Sequence, residues 1–170
     1  EKNVKAYTDA IPRELHIGID FNLDPISAVV AVKLGNTLSV IDEIRIYGSN
    51  TDELVDEIKQ RYPNHAITAY PDPAGAQRKT SAGGRTDHTI LRNANFKVLA
   101  PAAHNAVRDG INAVNSKLCN SKGESTLFID PKCKYIIECL EKQIYKDGTS
   151  QPDKSSGFDH MNDALRYMVD

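Results

Sequence analysis

Residues 15–46 hold three successive β-type runs separated by two short turns, and this block constrains the fold more than any other part of the chain. Leu15, Ile17, Ile19 and Phe21 alternate with His16, Gly18, Asp20 and Asn22, the period of two expected of a strand. Asn22-Leu-Asp-Pro25 reads as a turn. Residues 26–34 are mostly apolar and β-branched, the pattern of a strand covered on both faces. Gly35-Asn36 supplies the next turn, after which Leu38, Val40, Ile44 and Ile46 share one face of a third strand. Two tight connections between three strands predict an antiparallel meander.

The period then changes. Leu54, Val55, Ile58 and Tyr62 have helical spacing, and Asn50 followed by Glu53 resembles an N-cap with its N3 partner. A short strand over residues 66–70 runs into Pro71-Asp-Pro73 and a glycine-bearing loop over 74–85. Thr86 is suited to cap a helix containing Ile90 and Leu91. The remaining pattern predicts a strand over 96–99, a helix from about 103 to 118, and a short strand over 126–129. Pro131 suits the first turn of a helix to about 145, a polar loop covers 147–157, and a helix closes the chain over 159–169. Strands first, then alternating helices and strands, indicate a mixed α/β sheet with flanking helices. Residues 1–14, which include Pro12 and lack periodicity, read as a linker or arm, leaving 15–170 as one domain.

Composition excludes several classes. A chain of 170 residues with a net charge of −2 does not coat nucleic acid by bulk charge. Three cysteines without a CxxC pair favour neither a zinc site nor a disulfide framework and suit reduced thiols in a cytosolic protein. No run approaches the length of a membrane helix, and the first residues carry no signal-peptide core. Beginning at Glu1 instead of Met, the sequence reads as a piece of a longer chain.

Three acids stand out against this background. Asp20 lies within an otherwise apolar strand, Asp72 is held between two prolines at a strand end, and Asp163 sits on the last helix. A carboxylate in an apolar strand is costly unless something pairs with it. If the fold gathers these acids, they form a hard-oxygen site for Mg²⁺ or Mn²⁺. Two such ions, one activating water and one stabilising the leaving oxygen, can hydrolyse a phosphodiester. Each acid also has a plainer reading: Asp20 as a satisfied strand residue, Asp72 as a turn residue, Asp163 as a partner of its helix dipole. Asp159 shares a helix face with Asp163, where two like charges repel unless a cation is near, and it also suits the N-cap position, the reading preferred here.

The order of these features resembles the nuclease domain of the large terminase subunit of tailed bacteriophages, in the RNase H-like (RuvC-like) superfamily. The resemblance rests on Gly18-Ile-Asp-Phe-Asn22, Tyr70-Pro-Asp-Pro-Ala-Gly75 and Asp159-His-Met-Asn-Asp-Ala-Leu-Arg-Tyr167. Arg108-Asp-Gly-Ile-Asn-Ala-Val-Asn115 and Leu127-Phe-Ile-Asp-Pro-Lys-Cys133 add to it, so that it covers residues 14–170. It implies an RNase H-like mixed sheet led by the meander, and endonuclease cleavage of concatemeric double-stranded DNA with two Mg²⁺ or Mn²⁺ ions. Asp20, Asp72 and Asp163 become the catalytic and metal-binding acids, while Asp159 and His160 lie in the same motif as possible supporting residues. It further implies an N-terminal ATPase motor on the same chain, portal protein and small terminase subunit as partners, and action in the host cytoplasm without a membrane. No G-x-x-x-x-G-K-[ST] occurs, so this stretch is not expected to hydrolyse ATP.

Residues 74–122 carry eight Lys and Arg against Asp87 and Asp109. Among them Arg78, Lys79 and Arg85 lie in the glycine-bearing loop after Asp72 and are the expected DNA contacts. Without interleaved aromatics, contacts to phosphates are expected, not base reading. Competing readings are another RNase H-like nuclease of resolvase or transposase type, and a non-catalytic docking module for a portal protein.

Overall fold

The computed structural model describes residues 1–22, 24–77 and 84–169. The expected meander is present as β1 (Glu14–Asp20), β2 (Ile26–Leu34) and β3 (Thr37–Ile46), each antiparallel to the next. It is extended by β4 (Ala66–Pro71), β5 (Lys97–Val98) and β6 (Leu127–Ile129) into one sheet of order β5-β4-β1-β2-β3-β6. β4 runs parallel to β1, β5 to β4, and β6 to β3. The helices are α1 (Thr51–Arg61), α2 (Asp87–Asn93), α3 (Val107–Leu118), α4 (Lys134–Lys142) and α5 (Asp159–Val169), with a 3₁₀ turn at Pro73–Ala76.

Strand alternation divides the sheet between two cores. Leu15, Ile17, Ile19, Ala28, Val30 and Val32 pack with Leu54 and Ile58 of α1 and Leu91 of α2. Val29, Ala31 and Val40 face the other way, onto Ile136 of α4 and Met161 and Leu165 of α5. This is why β2 is apolar on both faces. It also fixes the site: with Leu15, Ile17 and Ile19 committed to the first core, Gly18 and Asp20 face α5. A Cβ on Gly18 would lie 2.0 Å from the carbonyl oxygen of Ala164, so glycine is what lets α5 rest on β1.

Local signals explain most boundaries. Asn50 Oδ1 accepts from the Glu53 amide (2.9 Å) and Thr86 Oγ1 from the Thr89 amide (3.0 Å), capping α1 and α2 as expected. α4 departs from expectation at both ends. Pro131 lies in a turn closed by Asp130, whose Oδ1 accepts from the Lys132 amide (3.0 Å), and the helix starts three residues later. Its first turn is capped from a distance by Glu43 of β3, which accepts from the amides of Tyr135 (3.0 Å) and Ile136 (2.7 Å). After Lys142 the chain leaves the helix for a short ribbon in which Tyr145 bridges Pro152. α3 begins at Val107, four residues later than expected.

The segment expected as an arm lies along β6. Val4 makes a parallel bridge to Ile129, and Asn3 Nδ2 donates to the carbonyls of Leu118 (2.8 Å) and Leu127 (2.9 Å). All three cysteines are free, and burial pushes the Cys133 and Cys139 thiols up to about 12. Among the described residues no helix is long and apolar enough to cross a membrane.

Candidate active site

Parallel pairing of β1 with β4 sets Ile19 opposite Pro71, so both strands end side by side. The Asp72 amide donates to the Ile19 carbonyl (2.9 Å), which places the residue after β4 beside the last residue of β1. Asp72 is then fixed as the cap of the 3₁₀ turn, its Oδ1 accepting from the Ala74 amide (2.9 Å). Gly75 closes this corner. A Cβ there would lie 2.6 Å from the Phe21 ring and 3.0 Å from the His88 ring. That contact accounts for the glycine in P-D-P-A-G and for the aromatic residue after Asp20.

α5 brings the third acid. Asp20, Asp72 and Asp163 line one cleft of about 360 Å³, together with Asp87, Lys154 and His160. Each of the three is held by a group on the protein. Asp20 Oδ1 accepts from the Asn22 amide (3.1 Å), and its Oδ2 lies 3.3 Å from His160 Nδ1. Asn22 Nδ2 lies 2.8 Å from His160 Nε2. An imidazole protonated on Nδ1 satisfies both contacts, accepting from Asn22 and donating to Asp20. The hydrogen bond to Asp20 raises the His160 pKa above its ordinary value; burial opposes it, and the charge of Asp159 adds to it. Asp72 Oδ1 is 3.2 Å from His104 Nε2. Asp163 Oδ1 accepts from Arg166 Nε (3.2 Å) and Nη2 (3.1 Å), while its Oδ2 is 4.0 Å from Lys154 Nζ. Burial raises the Asp163 pKa; Arg166 pulls it down and Asp20 pushes it further up.

The chemistry of this donor set suits a hard divalent cation: carboxylates dominate, burial raises the proton affinity of Asp163, and the groups they meet now are the basic side chains of His160, His104, Lys154 and Arg166. No group of three or more His, Cys, Asp or Glu side chains among the described residues is already closed to ligating distance. Metal capture would therefore exchange His160, His104 or Lys154 contacts for metal contacts.

The other residues singled out from the sequence fare differently. Asp159 is the first residue of α5, but it is not the expected cap. Its carboxylate is buried, and neither oxygen accepts a hydrogen bond. Arg85 reaches Asp52 in the first turn of α1 (3.3 Å). Arg78 and Lys79 lie outside the described residues. Sequence reasoning missed His104, Lys154 and Asp87. His104 and Lys154 sit in loops without periodicity, whereas Asp87, directly after the Thr86 cap, occupies the first turn of α2, where an acid is common for the helix dipole alone. Arg166 was missed as well, although its place three residues beyond Asp163 on a helix could have found it.

The chain matches the family described as the terminase RNaseH-like domain over residues 17–170. No curated protein matches it. Among solved structures, the large terminase of a thermophilic bacteriophage superposes with a TM-score of 0.75 and 19% identity, over 98% of this chain and 42% of that one. The chain therefore spans less than half the length of that protein. The nuclease domain of the P22 large terminase gives 0.69 at 18% identity, over 98% of this chain and 86% of that one. The large terminase nuclease domain of bacteriophage SPP1, with bound Mn, gives 0.60 at 17% identity, over 98% and 95%. The six-stranded sheet is the RNase H-like fold of these proteins, and the chain belongs to the terminase RNase H-like domain family.

Proposed function

We propose that this domain is a metal-dependent endonuclease that cuts concatemeric double-stranded DNA during viral genome packaging. The observation that carries the reading is the meeting of Asp20, Asp72 and Asp163 in one cleft, from two adjacent strand ends and one helix. These three would hold two Mg²⁺ or Mn²⁺ ions, the ligand set that hard cations prefer. Bound there, the ions supply an activated water and charge stabilisation at the phosphodiester. His160 orients the Asp20 carboxylate, and Arg166 fixes one oxygen of Asp163 so that the other faces the cleft. Arg78, Lys79 and Arg85 are proposed to carry phosphate contacts. The Arg85–Asp52 pair is exposed on both sides, so exchanging it for a phosphate costs little. The greater length of the thermophilic-phage relative and its complex with ATP-γ-S support an ATPase motor on the same chain ahead of residues 1–14; portal protein and small terminase subunit are proposed to present the DNA in the host cytoplasm.

The test is cleavage of supercoiled plasmid by the isolated domain in Mg²⁺ or Mn²⁺, with and without chelator. Nicking that the chelator abolishes and that Asp20→Asn reduces by about two orders of magnitude or more agrees with the proposal. Metal-independent cleavage, or full activity of Asp20→Asn, contradicts it.

A further inference from the structure

A pocket of about 120 Å³ lies at the other end of α5 from the three acids and shares no wall residue with their cleft. The sheet register builds it. His16 is on the same face of β1 as Asp20 but four residues earlier, about 13 Å away along the strand. His16 pairs with Ala31, so Lys33, two residues further along β2, is its diagonal neighbour on that face, within reach of a long side chain. Lys33 pairs with Leu38 of β3. From the opposite side Tyr70 of β4, which pairs with Gly18, brings its hydroxyl to 2.9 Å from His16 Nδ1. Lys117 in the last turn of α3 and Met168 near the end of α5 complete the walls.

These walls carry positive charge without a negative partner. Among the described residues neither the Lys33 nor the Lys117 ammonium makes an ion pair or a hydrogen bond. The last carbonyls of α5 offer partial negative charge at this end, yet neither ammonium donates to one. Glu14, the preceding residue on this face of β1, turns toward β4 instead. Its Oε1 accepts from Thr68 Oγ1 (3.3 Å) and lies 3.8 Å from His16 Nε2, and it does not line the pocket. Burial lowers the His16 pKa and Glu14 opposes that shift, while the charge of Lys33 lowers it further, so the Lys33 ammonium acts on this ring. Lys117 is half-buried, which leaves its charge only partly solvated.

We infer that this pocket binds a phosphate group, held between the Lys33 and Lys117 ammoniums with the Tyr70 hydroxyl as a third donor. With the imidazole proton on Nδ1, His16 donates to the Tyr70 oxygen, and the phenol hydrogen is left for the ligand. Phosphate brings several acceptor oxygens and, as the free ion, a second negative charge to match the second ammonium. A carboxylate brings one charge and two oxygens, and a metal cation would be repelled. Free phosphate and a DNA backbone group share the chemistry of the ligand, and the test separates them. The inference goes beyond the nuclease reading, because it requires neither the three acids nor a metal.

The experiment is an NMR titration of the metal-free chain with sodium phosphate, at ionic strength held constant with NaCl, read at His16 Cε1–H and at the Cε–H groups of Lys33 and Lys117. Parallel titrations use sodium acetate and a short DNA duplex without terminal phosphates. Saturable shifts at all three residues are expected with phosphate, at concentrations about tenfold or more below those of acetate. Lys33→Gln and Lys117→Gln should each weaken that response about tenfold or more, whereas Lys59→Gln, on α1 and outside the pocket, should leave it unchanged. Saturation of the same signals by the duplex, lost in the same two variants, assigns the group to the DNA backbone; saturation by phosphate alone assigns it to a free phosphate. Saturation by neither, an equal response to acetate, or equal weakening by Lys59→Gln overturns the inference.

Discussion

A Cβ on Gly18 would sit 2.0 Å from the Ala164 carbonyl oxygen, so the helix that carries Asp163 rests directly on the backbone of the strand that carries Asp20. Backbone cannot yield as the end of a flexible side chain can. Gly18→Ala should therefore push α5 off β1 and separate two of the three acids. Overpacking of this kind costs about 1–3 kcal/mol, and more where backbone is the obstacle. Urea unfolding should show that loss, with plasmid cleavage reduced beyond what the loss of folded protein explains. A Gly18→Ala domain of wild-type stability and activity would mean that α5 is not seated this way.

His16 provides a pH test unconnected to the acids. Burial lowers its pKa; Glu14 opposes that shift and Lys33 adds to it, while Nδ1 lies 2.9 Å from the Tyr70 hydroxyl. The unfolded chain binds this proton near pH 6.5 and the folded chain only at lower pH, so stability falls as pH drops from 6.5 through the folded value. His16→Gln should remove that part of the acid sensitivity. Thermal melts of both proteins between about pH 8 and pH 5 measure it. Parallel curves would show that His16 does not titrate differently in the two states.

These two sites show what was legible in the sequence and what was not. The alternation of residues 15–22 already assigns Leu15, Ile17 and Ile19 to one side and Gly18 and Asp20 to the other, because a strand's period is local. Asp72 was legible from its prolines and Asp163 from its helix. That the sheet carries β4 next to β1 was not legible, since no local pattern dictates a parallel pairing of strands so far apart in sequence. Glu43 capping α4 and His104 on Asp72 were illegible for a related reason: each joins residues distant along the chain, and nothing near either partner announces the other. Lys154 lies closer to Asp163 in sequence, but it sits in a loop where no period fixes its direction. Asp159 was misjudged because N-cap preference is a local tendency, and the interior of this fold takes the carboxylate instead.

Phosphate contact and metal binding should separate by mutation. Neutralising Arg78, Lys79 and Arg85 together should weaken DNA binding and flatten its salt dependence, by up to about 0.9 in log–log slope for each phosphate no longer neutralised. Mn²⁺ affinity should stay the same, since none of these side chains ligates a cation. DNA affinities at several salt concentrations decide. An unchanged slope would move the DNA track to Arg108, Lys117 and Lys122.

His160 is proposed to position Asp20, not to replace it. His160→Gln can still meet Asn22 and Asp20 through its amide, so it should retain more cleavage than Asp20→Asn, whereas His160→Ala should lose more than His160→Gln. Single-turnover cleavage at saturating Mn²⁺ ranks the three. Equal loss in His160→Gln and Asp20→Asn would give His160 a direct role on the metal or substrate.

The central claim is that Asp20, Asp72 and Asp163 form one metal site, and calorimetric titration of Mn²⁺ into the wild-type domain and its three single Asp→Asn variants tests it most directly. The account predicts saturable binding by the wild type and at least ~10-fold weaker binding in every variant, because each substitution removes a charged oxygen ligand. Wild-type affinity in any one of the three folded variants would contradict it.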